Sequence, residues 1–227
     1  MYYGIDSDTA VFPTGAKSKD FYAGRRGTGT SANTTYWNAT GAALATKKYM
    51  YWGIKGPTSD PAFSETYNGT NAYNWGKQQG SAAASAKVSA GSAVNTVTIF
   101  GDVEGSFGGW YAKNATLNGF TGAYLNYQVF KGFCDAVKAA NSSYKTGVYT
   151  SAGDWSNIMD TYTPSYANVL WGANWPSGST FNSPPSSFAN CKAINGVTPT
   201  MWQYYGETGS HDASKTGDAN IATVLPS

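Results

Sequence analysis

Apolar and polar positions along the chain fall into eight short strand-like runs, separated by loops and by stretches of helical periodicity. Tyr2–Ile5 is a brief apolar run ending in Asp6 and Asp8. Asp20–Gly27 follows, interrupted by Gly24, which weakens a strand. Lys48–Ile54 closes at Gly56-Pro57, and Thr96–Gly105 is the most β-branched and aromatic of the set. Lys145–Thr150, Asn168–Trp175, Thr200–Tyr205 and Ala219–Val224 complete the series. Helical patterns cover Thr34–Thr46, Ala72–Ser89, Leu125–Ala140 and Trp155–Tyr162. In the third of these, Phe130, Phe133, Cys134 and Val137 recur at i, i+3, i+4 and i+7, a stripe made for packing on a sheet. Strands alternating with helices predict a mostly parallel sheet, and eight strands predict a closed α/β barrel. The last strands have little helix between them, so the barrel departs from a regular eightfold repeat. No repeat, linker or composition shift divides residues 1–227, which read as one domain.

The stretch TVTIFGDVEG places two carboxylates, Asp102 and Glu104, at the end of an apolar strand with one valine between them. Residues i and i+2 of a strand share a face, so the two acids point together while Val103 packs behind. Two rise steps separate their backbones by roughly 6–7 Å. Each then raises the cost of ionising the other, and one keeps its proton nearer neutrality. A protonated acid beside an ionised carboxylate is the equipment of glycosidic-bond cleavage. That spacing falls between the retaining and inverting geometries and leaves the stereochemistry open. A solvated or cation-binding pair is the competing reading of the same residues.

Composition narrows the chemistry. Charged residues are 12% of the chain, aromatics 15%, and the net charge is +2. Lys and Arg never cluster beyond a dipeptide, which excludes a nucleic-acid partner. An aromatic, hydroxyl- and amide-rich surface suits carbohydrate. Gly27–Ala32 matches G-x-G-x-x-A, but Thr46-Lys47-Lys48 stand where the ribose-binding acid belongs, so no dinucleotide site is read here. The single histidine, His211, has no G-x-S-x-G elbow to serve, and with two cysteines it makes no zinc spacing. No metal and no cofactor is expected. Cys134 and Cys191 are either bridged or free. No run is long and apolar enough for a membrane span, and MYYGIDSD enters a strand with no signal peptide before it. The chain is then either cytosolic or secreted with its leader removed, and low charge with abundant Ser, Thr and Asn points to the secreted, processed form; a monomer is expected.

GIDSD, DVE, FCDAVKAANSSYKTGVYTSAGDW, LWGANW and MWQYY…GDANIA occur in an order that resembles glycoside hydrolase family 25 lysozymes. The same segments resemble the related glycoside-hydrolase-like family of domain of unknown function 1906. The resemblance spans nearly the whole chain and implies an irregular TIM-like barrel, five β/α units followed by three helix-poor strands. It implies a polysaccharide substrate, most simply the muramic acid–glucosamine bond of peptidoglycan. It places Glu104 in the general-acid position, with Asp102, Asp6 and Asp218 completing the acidic set. Asp212 is a rival to Asp218 in the same loop. Tyr149 and the Trp202-Gln203 pair match groove-lining positions, and Trp52, Trp110, Trp171 and Trp175 are further candidates for an apolar face beneath a sugar. The long GSFGGWYAKNATLNGF segment after Glu104 departs from the family and is expected to reshape the groove. The alternatives are a glycan-binding barrel without turnover and a glycosidase of another N-acetylated glycan.

Overall fold

A computed structural model describes residues 1–7, 19–181, 183–206 and 218–227. Eight strands form the barrel: β1 (Tyr2–Ser7), β2 (Lys19–Thr28), β3 (Ala45–Gly53), β4 (Thr98–Asp102), β5 (Lys145–Ser151), β6 (Val169–Ala173), β7 (Met201–Tyr205) and β8 (Asp218–Ala222). Neighbours pair in parallel from β1 through β7, while β8 runs antiparallel between β7 and β1 and closes the ring. The short strand Ser31–Ala32 folds back on β2 as a small antiparallel flap.

Helices cover the outside unevenly. Helix α1 (Ala39–Ala43) has five residues, capped by the Asn38 side chain on the Gly41 N–H. Helix α2 (Gly69–Ala90) carries a capping box between Asn68 and Asn71. Helix α3 (Gly122–Ala140) starts at Thr121, whose hydroxyl accepts from the Tyr124 N–H. Helix α4 (Ala152–Met159) starts at Ser151 in the same way, with Asp154 as the N–H donor. Helices α2 and α3 cross at close range: a Cβ on Gly76 would lie 2.0 Å from the Val129 carbonyl oxygen, and one on Gly132 2.0 Å from that of Tyr73. No helix among the described residues is long and apolar enough to cross a membrane.

Period-two alternation divides the core into two layers. Phe21, Tyr49, Tyr51, Phe100, Tyr149, Trp171 and Met201 fill the barrel interior. Edge-to-face contacts link them, Tyr49 to Phe100 at 5.7 Å, Phe100 to Trp171 at 5.3 Å and Tyr149 to Trp171 at 4.8 Å between centroids. Met50, Trp52, Ile99, Val103 and Val148 point outward and pack under α2, α3 and α4 with Phe130, Phe133 and Trp155. Trp202, Tyr204, Ala219 and Ile221 make a smaller outer cluster beneath the β6–β7 connection.

Two local readings change, and one left open is settled. The helical pattern at Thr34–Thr46 yields only α1, because Ala45 to Lys48 pair with β2 from Lys19 onward. Gly24 does not weaken β2, which at ten residues is the longest strand described. Tyr22 and Trp37 close over it, and a Cβ there would meet the Tyr22 hydroxyl at 2.7 Å and the Trp37 ring at 2.8 Å. Cys134 and Cys191 are free thiols, the first buried in the core side of α3.

Candidate active site

The barrel's parallel strands deliver their C-terminal ends to one rim, where catalytic groups of such barrels sit. Asp6 lies one residue from the end of β1 and Asp102 ends β4. Tyr149 on β5 is the register partner of Asp102, and Gln203 lies mid-way along β7. Asp218 begins β8, and since that strand is antiparallel its first residue reaches the same rim, directly opposite Asp6.

A continuous polar network joins them. Gln203 Nε2 donates to Asp6 Oδ1 at 3.2 Å and Oδ2 at 3.3 Å, and to Asp218 Oδ2 at 3.0 Å. Its Oε1 accepts from the Tyr149 hydroxyl at 2.8 Å and from Trp175 Nε1 at 3.1 Å. Asn220 Nδ2 donates to Asp6 Oδ1 at 2.6 Å, while Asn220 Oδ1 accepts from Trp171 Nε1 at 2.9 Å. Each amide thereby uses its oxygen on a neutral donor and its nitrogen on a carboxylate, which fixes its orientation.

Asp102 differs from its neighbours. It is 3% exposed, and its Oδ1 is a buried oxygen with no hydrogen-bond partner among the described residues. Burial pushes its carboxyl well above the ordinary carboxylate range, and the charges of Glu104 and Asp6 push the same way. Arg25 opposes them from β2, and Asp154 adds to them. Tyr149 is also driven up by burial, within the field of all four acids: Glu104, Asp6, Asp102 and Asp218. Its phenol stays protonated and serves as a donor.

Glu104 continues the line of β4 in extended backbone (φ −137°, ψ 151°) and is half-buried. Val103 between the two acids is buried in the outer core, with its N–H on the Tyr149 carbonyl at 2.9 Å. Trp110 donates its indole N–H to the Glu104 carbonyl at 2.8 Å, and the Gly105 N–H donates to Asp154 Oδ1 at 3.2 Å. Asp154 in turn accepts from the Ser151 hydroxyl at the start of α4. These two bonds hold the backbone on either side of the Glu104 peptide. Asp154 and Asn220 were not singled out from the sequence. The only signal was their place in the GVYTSAGDW and GDANIA segments.

The segment after Glu104 is ordered by backbone contacts. A single turn, Gly105–Phe107, leads to Gly108 and Gly109, whose carbonyls accept from Gly56 at 3.1 Å and Thr58 at 2.9 Å. Gly56 permits this approach, since a Cβ there would sit 2.3 Å from the Gly109 oxygen. Phe107 covers Gly53 at the end of β3, and the Arg25 guanidinium lies 3.6 Å from the Tyr36 ring centroid and 5.8 Å from that of Phe107. The segment is thus fastened to the C-terminal end of β3 and the turn that follows it.

The tryptophans expected to line the groove separate by strand parity. Trp202 and Gln203 are adjacent on one strand, so both cannot face inward. Gln203 does, and Trp202 is buried outside the barrel with its indole N–H on the Asn174 carbonyl. Trp52 is likewise buried outside, bonded to the Gly29 carbonyl. Trp171 is inside but buried, a floor beneath Asn220. Neither Trp52, Trp171 nor Trp202 offers a face to a sugar. Trp110 is half-buried behind Glu104. Trp175, 48% exposed and bonded to Gln203, presents an open face at the rim. His211 and Asp212 lie outside the described residues. Among the described residues no group of three or more His, Cys, Asp and Glu is arranged to hold a metal ion.

No protein-family model matches the sequence, and no curated protein matches it significantly. Solved structures do match in fold. The muramidase from Acremonium alcalophilum is 16% identical with a TM-score of 0.58, covering 99% of this chain and 95% of that one. The muramidase from Trichobolus zukalii is 15% identical with a TM-score of 0.56 at the same coverage. A glycosyl hydrolase 25 of Streptococcus pneumoniae, a virulence factor participating in host cell invasion, is 11% identical with a TM-score of 0.54, covering 98% of this chain and 87% of that one. The chain has the α/β barrel fold of these muramidases and glycosyl hydrolase 25 proteins.

Proposed function

We propose that this chain is a glycoside hydrolase of the muramidase type, cleaving the β-glycosidic bond between N-acetylmuramic acid and N-acetylglucosamine in peptidoglycan. The observation that carries the reading is the Asp102–Glu104 pair on the acidic rim, one member buried with an unbonded oxygen and the other half-buried. A buried acceptor without a donor costs free energy unless a ligand supplies one. The N–H of a sugar's acetamido group is a donor of the right kind for Asp102.

In the free protein burial, with the charges of Glu104 and Asp6 beside it, favours a proton on Asp102. A glycan lying in the groove removes water from Glu104 and raises its proton affinity in turn. The proton then resides on Glu104, and the ionised Asp102 accepts the acetamido N–H and steadies positive charge growing at the anomeric carbon. Glu104 gives its proton to the departing glycosidic oxygen, an effect worth about 10²–10⁴-fold. Its carboxylate next takes a proton from the water that completes hydrolysis. Asp6 and Asp218, held apart by Gln203, keep the floor negative, and Trp175 provides an apolar face for a sugar ring. A polymer of the cell wall as substrate fits a secreted chain.

Purified bacterial cell walls, followed by turbidity loss and reducing-end release, test this reading. The wild-type chain is expected to clear them and Glu104→Gln to lose at least about 100-fold of the rate while still sedimenting with the walls. Walls that bind both proteins and are cleaved by neither assign the barrel to glycan binding alone.

A further inference from the structure

Strand β2 carries adjacent arginines, and parity sends them to opposite faces of the sheet. Arg25 faces inward, where its charge acts on Asp102. Arg26 faces outward, stacked over the Trp37 ring at 4.7 Å, and belongs to neither the rim nor its network. It is 8% exposed and stacked on Trp37, and none of its nitrogens is among the buried, unpartnered side-chain atoms of the described residues, so its donors open on the cleft that it lines. A buried cation is normally met by an anion, and a guanidinium offers five N–H donors that an aromatic face cannot satisfy. Burial accordingly lowers its affinity for its proton, opposed among the described residues by Tyr22.

Between the β2 flap and the C-terminal half of α2 lies a cleft of about 280 Å³. Arg26, Thr30 and Thr34 line one side, and Ser85 and Ser89 line the other among alanines of α2. That volume sits near the lower end of small-molecule sites and well above what a single water fills. Hydroxyls on both walls add donors to the cation, and the alanines accept an apolar body.

We infer that this outer cleft is a second binding site, taking a small oxyanionic ligand such as a carboxylate or a phosphate monoester, with Arg26 as its cation. Guanidinium geometry suits bidentate pairing with either group. The site lies on the opposite face of β2 from the acidic rim and does not rest on the proposed hydrolysis.

An NMR titration of the full-length ¹⁵N-labelled chain tests it, with sodium phosphate and sodium acetate compared against chloride at equal ionic strength. The Arg26 Nε–H and Trp37 indole resonances are expected to move saturably, and the tighter of the two salts identifies the preferred anion. Arg26→Met is expected to weaken that binding at least tenfold. Ser85→Asp, on an exposed position of α2, sets a carboxylate across the cleft and is expected to do the same without altering wall cleavage or thermal stability. Should Arg26→Met fold poorly, Ser85→Asp decides alone. Shifts that rise linearly and equally in chloride, or saturable binding that survives Ser85→Asp, overturn the proposal.

Discussion

Tyr149 donates its hydroxyl to Gln203 Oε1 at 2.8 Å across the floor of the barrel mouth. That bond commits the amide oxygen to neutral donors and leaves its nitrogen for Asp6 and Asp218. Gln203→Glu removes the N–H donors from two carboxylates and adds a third negative group. Hydrogen bonds to charged groups are worth about 1.5–3 kcal/mol each, and Asp218 is half-exposed, so a loss of about 3 kcal/mol is expected at pH 7. Urea unfolding measures it. The loss is expected to shrink near pH 4, as protonation relieves the repulsion.

Asp102 sets a pH dependence whose sign follows from its raised pKa. The unfolded chain releases this proton near pH 3.9, while the folded chain retains it to higher pH. The stability it contributes is therefore full below that value and falls as pH rises through the folded pKa. Asp102→Asn has no proton to lose. Thermal melts from pH 4 upward are expected to show the variant gaining on wild type until the folded Asp102 has lost its proton, and a difference that stays constant from pH 4 contradicts the burial argument.

Asp154 anchors the peptide after Glu104 and also feeds negative charge to Asp102. Asp154→Ala removes both and leaves the Ser151 cap weaker, so about 1 kcal/mol of stability and at least tenfold in kcat are expected to go. Asp154→Asn keeps an acceptor for the Gly105 N–H and restores most of kcat. In both variants the alkaline limb of the pH–rate profile is expected to move to lower pH, which a purely structural role does not produce.

Trp175 is the expected sugar platform that retains an open face. Trp175→Ala is expected to raise KM about tenfold, matching roughly 1.4 kcal/mol for one aromatic contact. Trp175→Phe keeps a face and recovers most of it. Steady-state kinetics on soluble wall fragments separate KM from kcat.

The barrel strands were legible in the sequence because each is a short apolar run, and the Asp102–Glu104 pair because two acids end such a run with one residue between them. Which parity faces inward was not legible. It depends on closure of the ring by β8, a contact between the two ends of the chain, and so Trp202 could not be told from Gln203. The direction of β8 hid the position of Asp218 in the same way. Asp154 escaped notice because an acid at the third position of a helix reads as part of a cap, which it also is. Asn38 and Asn68, each followed two residues later by Thr, are N-caps of α1 and α2. The shortness of α1 reflects strand pairing from Ala45 winning over helical periodicity that continued through it.

In the proposed mechanism the acids of the β4 terminus cut one particular sugar linkage. Borohydride reduction of a wall digest, followed by identification of the newly formed reducing sugar, tests it most directly. Muramitol released by the wild-type chain and absent with Glu104→Gln is the expected result. Glucosaminitol as the new end group, or muramitol released equally by the variant, contradicts it.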